Sequence, residues 1–198
     1  MLVVKRTGLN QKGCPRAAFF WWLAAGLLTT GSVWAQQTSS SPAQGVVAPA
    51  LPNPAFTPGA IDPAVTPQNL QSTVCVKGYT AKVRPDKKYT NRMKRQQLRQ
   101  FNYADRNPQN YEQDHLIPLS IGGNPSDPKN LWPQPRSGEW GAEQKNDLEF
   151  VVYKMVCNGD ISLAEAQQRV ARNWIEAYQA WVPKHQHYLP KGRRHDAD

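Results

Sequence analysis

An aspartate and a histidine stand side by side at Asp114-His115, and an asparagine follows fifteen positions later at Asn130. His115 is the only histidine in the body of the chain, because the other three lie in the last fourteen residues. An imidazole, with an ordinary pKa of about 6.5, can take a proton from water near neutral pH. A carboxylate beside it can hold a cation. Cleavage of a phosphodiester calls for such a set: a base for the attacking water, and positive charge for the oxygens around phosphorus. The Asn130 amide both donates and accepts, which suits it to pin the loop that aims the imidazole. Each residue also has an ordinary structural reading, as a packed histidine or a turn asparagine.

Local structure must deliver these groups. YEQDHLIPL (111–119) reads as a strand entering a turn at Gly122-Gly123. Neighbours on a strand point to opposite faces, so Asp114 and His115 share a site only where the strand bends. Asp127 followed by Pro128 is a cap with proline at the first helical position, so DPKNLW is expected to start a brief helical turn. From Ala142 to Cys157, Leu148, Val151, Val152, Met155 and Val156 fall on one helical face, and Asn158-Gly159 ends that helix. Ser162 and Glu165 form a capping box for a last helix. Its apolar face is Leu163, Ala166, Val170, Trp174, Ala177 and Trp181, and Pro183 ends it.

Upstream, VCVKGYTAKVRP (74–85) predicts a short strand pair or an extended arm. A helix follows with Thr90 as N-cap and Met93, Gln97, Leu98 and Phe101 at helical spacing. The tryptophans at 132, 140, 174 and 181 are expected to pack rather than to stack on bases. The fold class expected is α+β, mostly helical around a small hairpin.

The ends read differently. Lys5, Arg6, Lys12 and Arg16 precede the apolar run AAFFWWLAAGLL, with Val33 and Ala35 at the −3 and −1 positions of a cleavage site. This is the pattern of a signal peptide over residues 1–35, cut before Gln36. The apolar core at 17–28 is shorter than a membrane span needs. Residues 36–67 carry seven prolines and a single charge, Asp62, and read as a flexible or extended linker. The domain is expected over 68–188, with a polar tail at 189–198. Export places the protein in the periplasm or outside the cell. It also leaves two cysteines, Cys75 and Cys157, which most simply form one disulfide. The absence of any CxxC pair argues against a structural zinc site.

The whole chain carries a formal charge of +9. Nine bases lie between Lys77 and Arg99 against one acid, Asp86. Of these, Lys82, Arg84, Lys87, Lys88, Arg92, Lys94, Arg95 and Arg99 are the candidate phosphate contacts. Such a cluster attracts a polyanion, nucleic acid first of all, although a solvated helix face reads alike.

The motif DHLIPLSIGG…NPSDPKNLW resembles the HNH, or His-Me finger, nucleases. The wider set CVKGYT…VRP, YEQDHLIPLSIGG, NLWPQP, KNDLE and VCNG…AEAQ is similar to a group of exported bacterial proteins with this finger. The resemblance spans about residues 57–182. It implies a ββα-metal finger at about 111–157 inside a nuclease domain. His115 would be the general base that activates water, Asp114 a ligand of Mg²⁺ (or Mn²⁺, or another divalent ion), and Asn130 the orienting asparagine.

Many HNH proteins place a ligating histidine soon after that asparagine, but here PQPRSGEWGA intervenes and none follows until His185. The ligand position then falls to Asn146, off the apolar face of its helix, with Glu149 one turn on along the same flank. Both offer oxygen to a hard cation. Lys145 would meet a phosphate, and Glu112 would support Asp114. The activity implied is that of an exported, metal-dependent endonuclease cutting DNA or RNA. The rival readings are a non-catalytic nucleic-acid-binding module on the same scaffold, and an envelope protein that binds acidic polymers.

Overall fold

The strand read at the Asp-His motif is present as β1 (Tyr111–His115) in a computed structural model that describes residues 49–192. It pairs antiparallel with β2 (Leu131–Pro135), which sets Asp114 opposite Trp132 and His115 opposite Leu131. The turn capped by Asp127 precedes β2, with its carboxylate accepting from the Lys129 N–H at 2.8 Å. That turn is brief, as expected, and closes at Asn130. Prolines at 133 and 135 do not prevent the strand because they sit at alternate positions, where an N–H would point away from β1. On that outer side the Leu131 and Pro133 carbonyls accept from Gln97 Nε2 at 2.8 Å and from the Tyr103 hydroxyl at 2.9 Å.

Residues 74–85 form no strand pair. Pro67–Ser72 is a 3-10 turn, and Gly78, at a φ of 88°, leads into the short helix α1 (Tyr79–Val83). The weak alternation in this stretch finds no strand to pair with, and buried Val74 is drawn into the core instead. The next helix, α2 (Lys87–Gln100), starts a turn earlier than Thr90 predicts. Asp86 caps it, its side chain accepting from the Lys88 N–H at 2.7 Å, while Thr90 bonds back within the first turn.

After β2 comes α3 (Ala142–Asn158), ended by Gly159 at a φ of 82°. Its predicted apolar face is buried throughout. The last predicted helix is two: α4 (Leu163–Arg172) and α5 (Trp174–Trp181). Asn173 breaks the run in extended backbone, and its side chain caps α5 by accepting from the Ile175 and Glu176 N–H groups. Ser162 caps α4 as expected, by accepting from the Glu165 N–H. The apolar faces of α3, α4 and α5 close on Leu116, Ile117, Ile121 and Trp132 from the hairpin to form the main core. Leu98, Tyr103 and Tyr111 make a smaller cluster under α2. Among the described residues no helix is long and apolar enough to cross a membrane.

The expected signal segment, residues 36–48 of the expected linker, and tail residues 193–198 lie outside the described residues. The rest of the linker is corrected. Residues 49–67 are tied to the β1–β2 loop by Gly59 N–H to the Lys129 carbonyl at 2.9 Å, Asp62 N–H to the Gly122 carbonyl at 2.8 Å, and Asn124 N–H to the Ala60 carbonyl at 2.8 Å. Val65 and Thr57 are buried. Proline denies this segment a helix, yet the residues between the prolines keep the donors that an extended chain can pair. Leu189, read as the start of the tail, is likewise buried in the core.

Cys75 and Cys157 are joined in a disulfide across a separation of 82 residues. It clamps the segment before α1 to the end of α3. In the chain-entropy account, a loop of that length lifts stability by about 4 kcal/mol. Replacing both cysteines with alanine should therefore lower the free energy of unfolding by about that amount, read from urea denaturation followed by tryptophan fluorescence.

Candidate active site

The fifteen residues between the strands are held by one side chain. Asn130 is fully buried. Its Oδ1 accepts from the Ile117 N–H at 2.9 Å, and its Nδ2 donates to the Ile117 carbonyl at 3.0 Å and to the Asn124 carbonyl at 3.0 Å. A second acceptor contact reaches out to the Ala60 N–H at 3.4 Å. Both ends of the loop, and the strap at 59–62, are thus tied to one amide. Gly123 is obligatory here, since a Cβ would collide with the Ile117 carbonyl and press on Asn130 Nδ2.

The loop in turn fixes His115, the last residue of β1. The imidazole is buried, and its Nε2 lies 2.9 Å from the Pro125 carbonyl oxygen. A carbonyl only accepts, so Nε2 carries the proton and the lone pair is left on Nδ1. Burial lowers the His115 pKa below its ordinary value. The Pro125 hydrogen bond and Asp114 oppose that shift, while Arg84 and Lys145 add to it. The ring is therefore a neutral base at physiological pH.

Asp114 faces the other way, toward α3, and there the structure departs from the sequence reading. Lys145 is fully buried. Its Nζ donates to Glu149 Oε1 at 2.8 Å and to the His115 backbone carbonyl at 3.0 Å, and lies 3.1 Å from Asp114 Oδ2. Asp114 Oδ2 is itself buried, and the ammonium is the counter-charge that it meets there. Lys145 stays charged: the two carboxylates outweigh the cost of burying it and raise its pKa. Glu149 is pushed up to about 7, first by burial and also by the Asp114 charge, with Lys145 and Arg84 pulling the other way.

Lys145 is consequently no phosphate contact. Nor do Asp114, Asn146 and Glu149 form a cage for a divalent ion. The two carboxylates that would ligate it share an ammonium instead, and a metal bound by both would have to displace a lysine with no other anionic partner. No group of three or more His, Cys, Asp or Glu side chains suited to a metal is present among the described residues. The expected ligand set does not fit Mg²⁺. Glu112, expected to support Asp114, pairs with Arg136 at 3.0 Å.

A cleft of about 600 Å³ opens beside this trio, lined among others by Lys77, Arg84, Ser120, Asn146, Glu149 and Lys154. His115 does not line it, and joins the trio through its backbone carbonyl. Of the candidate phosphate contacts, Lys82, Arg84, Lys87, Lys88, Arg92, Arg95 and Arg99 are exposed. Lys94 is not: it is buried, with Nζ donating to the Tyr111 carbonyl at 2.9 Å. The role of Lys145 was missed in the sequence, although its spacing from Glu149 is the i, i+4 spacing of a helix ion pair.

Lys145→Met should cost about 1–3 kcal/mol in urea denaturation at neutral pH, since it leaves two half-buried carboxylates without a counter-charge. The His115 ring should titrate below pH 6.5 by NMR. Its native state binds that proton less readily than the unfolded chain does, so the His115 contribution to stability falls as pH drops below 6.5.

Comparison of the chain with protein-family models, with curated proteins and with solved structures finds no match.

Proposed function

We propose that this protein is an exported phosphodiester hydrolase of the His-Me finger type, acting on DNA or RNA. One observation carries the reading: a buried, neutral histidine at the end of a strand, its Nε2 committed to the Pro125 carbonyl in a loop that a buried asparagine pins. That arrangement leaves Nδ1 as a fixed proton acceptor, which is what a general base requires. The order of a hairpin followed by a helix, with an asparagine closing the hairpin loop, supports the finger reading. The exposed bases on α1 and α2 and beside them supply the phosphate-binding face, and the disulfide suits an oxidising compartment.

In the reaction, His115 Nδ1 takes a proton from water as the water oxygen bonds to phosphorus. The bond from phosphorus to the leaving nucleoside oxygen breaks, and that oxygen takes a proton from solvent. The products are a phosphomonoester and a free hydroxyl, and His115 returns its proton to solvent. Arg84 presents a planar guanidinium at the cleft, and its paired donors match the phosphate oxygens. No step is routed through a metal ion.

His115→Ala should slow the cutting of plasmid DNA or RNA by roughly a hundredfold to ten-thousandfold while leaving DNA affinity intact. Wild-type cutting by purified His115→Ala would overturn the assignment. Binding without any cutting by the wild type would leave a nucleic-acid-binding module. Reversing Lys87, Lys88, Arg92 and Arg95 together should weaken affinity for all sequences alike and flatten its dependence on salt, measured by fluorescence anisotropy across a salt series.

A further inference from the structure

We infer that the Lys145 ammonium is the resident cation of this site, held where the finger would otherwise place a divalent ion, so that the site takes no metal. The inference rests on the hydrolase reading for its place in catalysis, but on geometry for its occupancy. Asp114 comes from the strand and Glu149 from the helix, the two elements whose side chains a bridging ion would join. Lys145 Nζ already joins them, at 3.1 Å and 2.8 Å, and adds the His115 carbonyl at 3.0 Å. Three oxygens around one nitrogen match the three donors of an ammonium.

Charge points the same way. A divalent ion beside a buried ammonium would meet strong repulsion in a region of low dielectric, and expelling the lysine would strand its charge. Asn146 lines the cleft beside this group, and an amide alone adds no negative charge to favour an ion there.

The built-in cation does a different task from a bound metal. Fully buried, it reaches no phosphate, but it locks the end of β1 to α3 and holds the His115 backbone in place. Positive charge for the reacting phosphate then falls to Arg84, which lines the cleft together with Glu149. The hydrolytic step then has a guanidinium in place of an ion.

The test uses the full chain stripped of metal. Mn²⁺ titration followed by electron paramagnetic resonance should show no bound ion in the wild type. It should show a site in Lys145→Met, whose thermal midpoint Mn²⁺ should raise while leaving that of the wild type unchanged. The cleavage that His115→Ala abolishes should proceed in EDTA at the rate seen with Mg²⁺. A wild-type Mn²⁺ site that Asp114→Ala removes would overturn the inference, as would cleavage lost in EDTA and restored by Mg²⁺. In that last case the hydrolase reading stands. Should the wild type cut nothing in any condition, the hydrolase reading falls, and the Mn²⁺ titration still decides whether the lysine fills the cation site. Should Lys145→Met fail to fold, the wild-type titration and the EDTA comparison decide alone.

Discussion

A buried ammonium between two carboxylates is the constraint on which the rest of this structure depends. Lys145 cannot be removed without leaving two half-buried carboxylates, Asp114 and Glu149, to repel one another beside the cleft. It therefore fixes the distance between β1 and α3, and through the His115 carbonyl it fixes where the strand ends. The apolar face of α3 is packed against α4 and α5 on its other side, so the helix cannot shift to relieve a poor fit. Packing and ion pairing hold the same helix from opposite flanks.

Asn130 performs the corresponding task for the loop. Its single amide satisfies backbone groups at Ile117 and Asn124, which a long connection would otherwise leave unpaired in the interior. The strap at 59–62 pairs with the loop at the Gly122 and Lys129 carbonyls and the Asn124 N–H. The imidazole of His115 is held because the Pro125 carbonyl is held, and that carbonyl is held by everything that pins the loop. An imidazole fixed in this way would lose little freedom on taking up a proton, which is the preorganisation that the proposed reaction needs.

The surface reads as the complement of this interior. Seven exposed bases from Lys82 to Arg99 present charge to solvent, while the two lysines that sequence placed with them, Lys94 and Lys145, are spent on internal carbonyls and carboxylates. Positive charge thus serves both as a surface field and as an internal brace. Arg84 stands where the two meet, at the edge of the basic segment and on the wall of the cleft.

What the chain states locally was legible in its sequence. YEQDH is a strand, the spacing from Leu148 to Val156 is a helix face, and Asp127, Ser162 and Asn158-Gly159 mark the element ends, because periodicity and caps act over a few residues. The Cys75–Cys157 bond followed from counting cysteines. What only the tertiary structure decided was which distant groups meet. β2 forms despite two prolines because α2 and Tyr103 satisfy its outer edge. Residues 49–67 are ordered because the loop offers them carbonyls and an amide. Lys145, one of many lysines in a basic chain, becomes a buried brace only when folding brings the carboxylate of Asp114 and the carbonyl of His115 to it from thirty residues away. Burial and long-range charge are properties of the assembled core, and no stretch of sequence carries them alone.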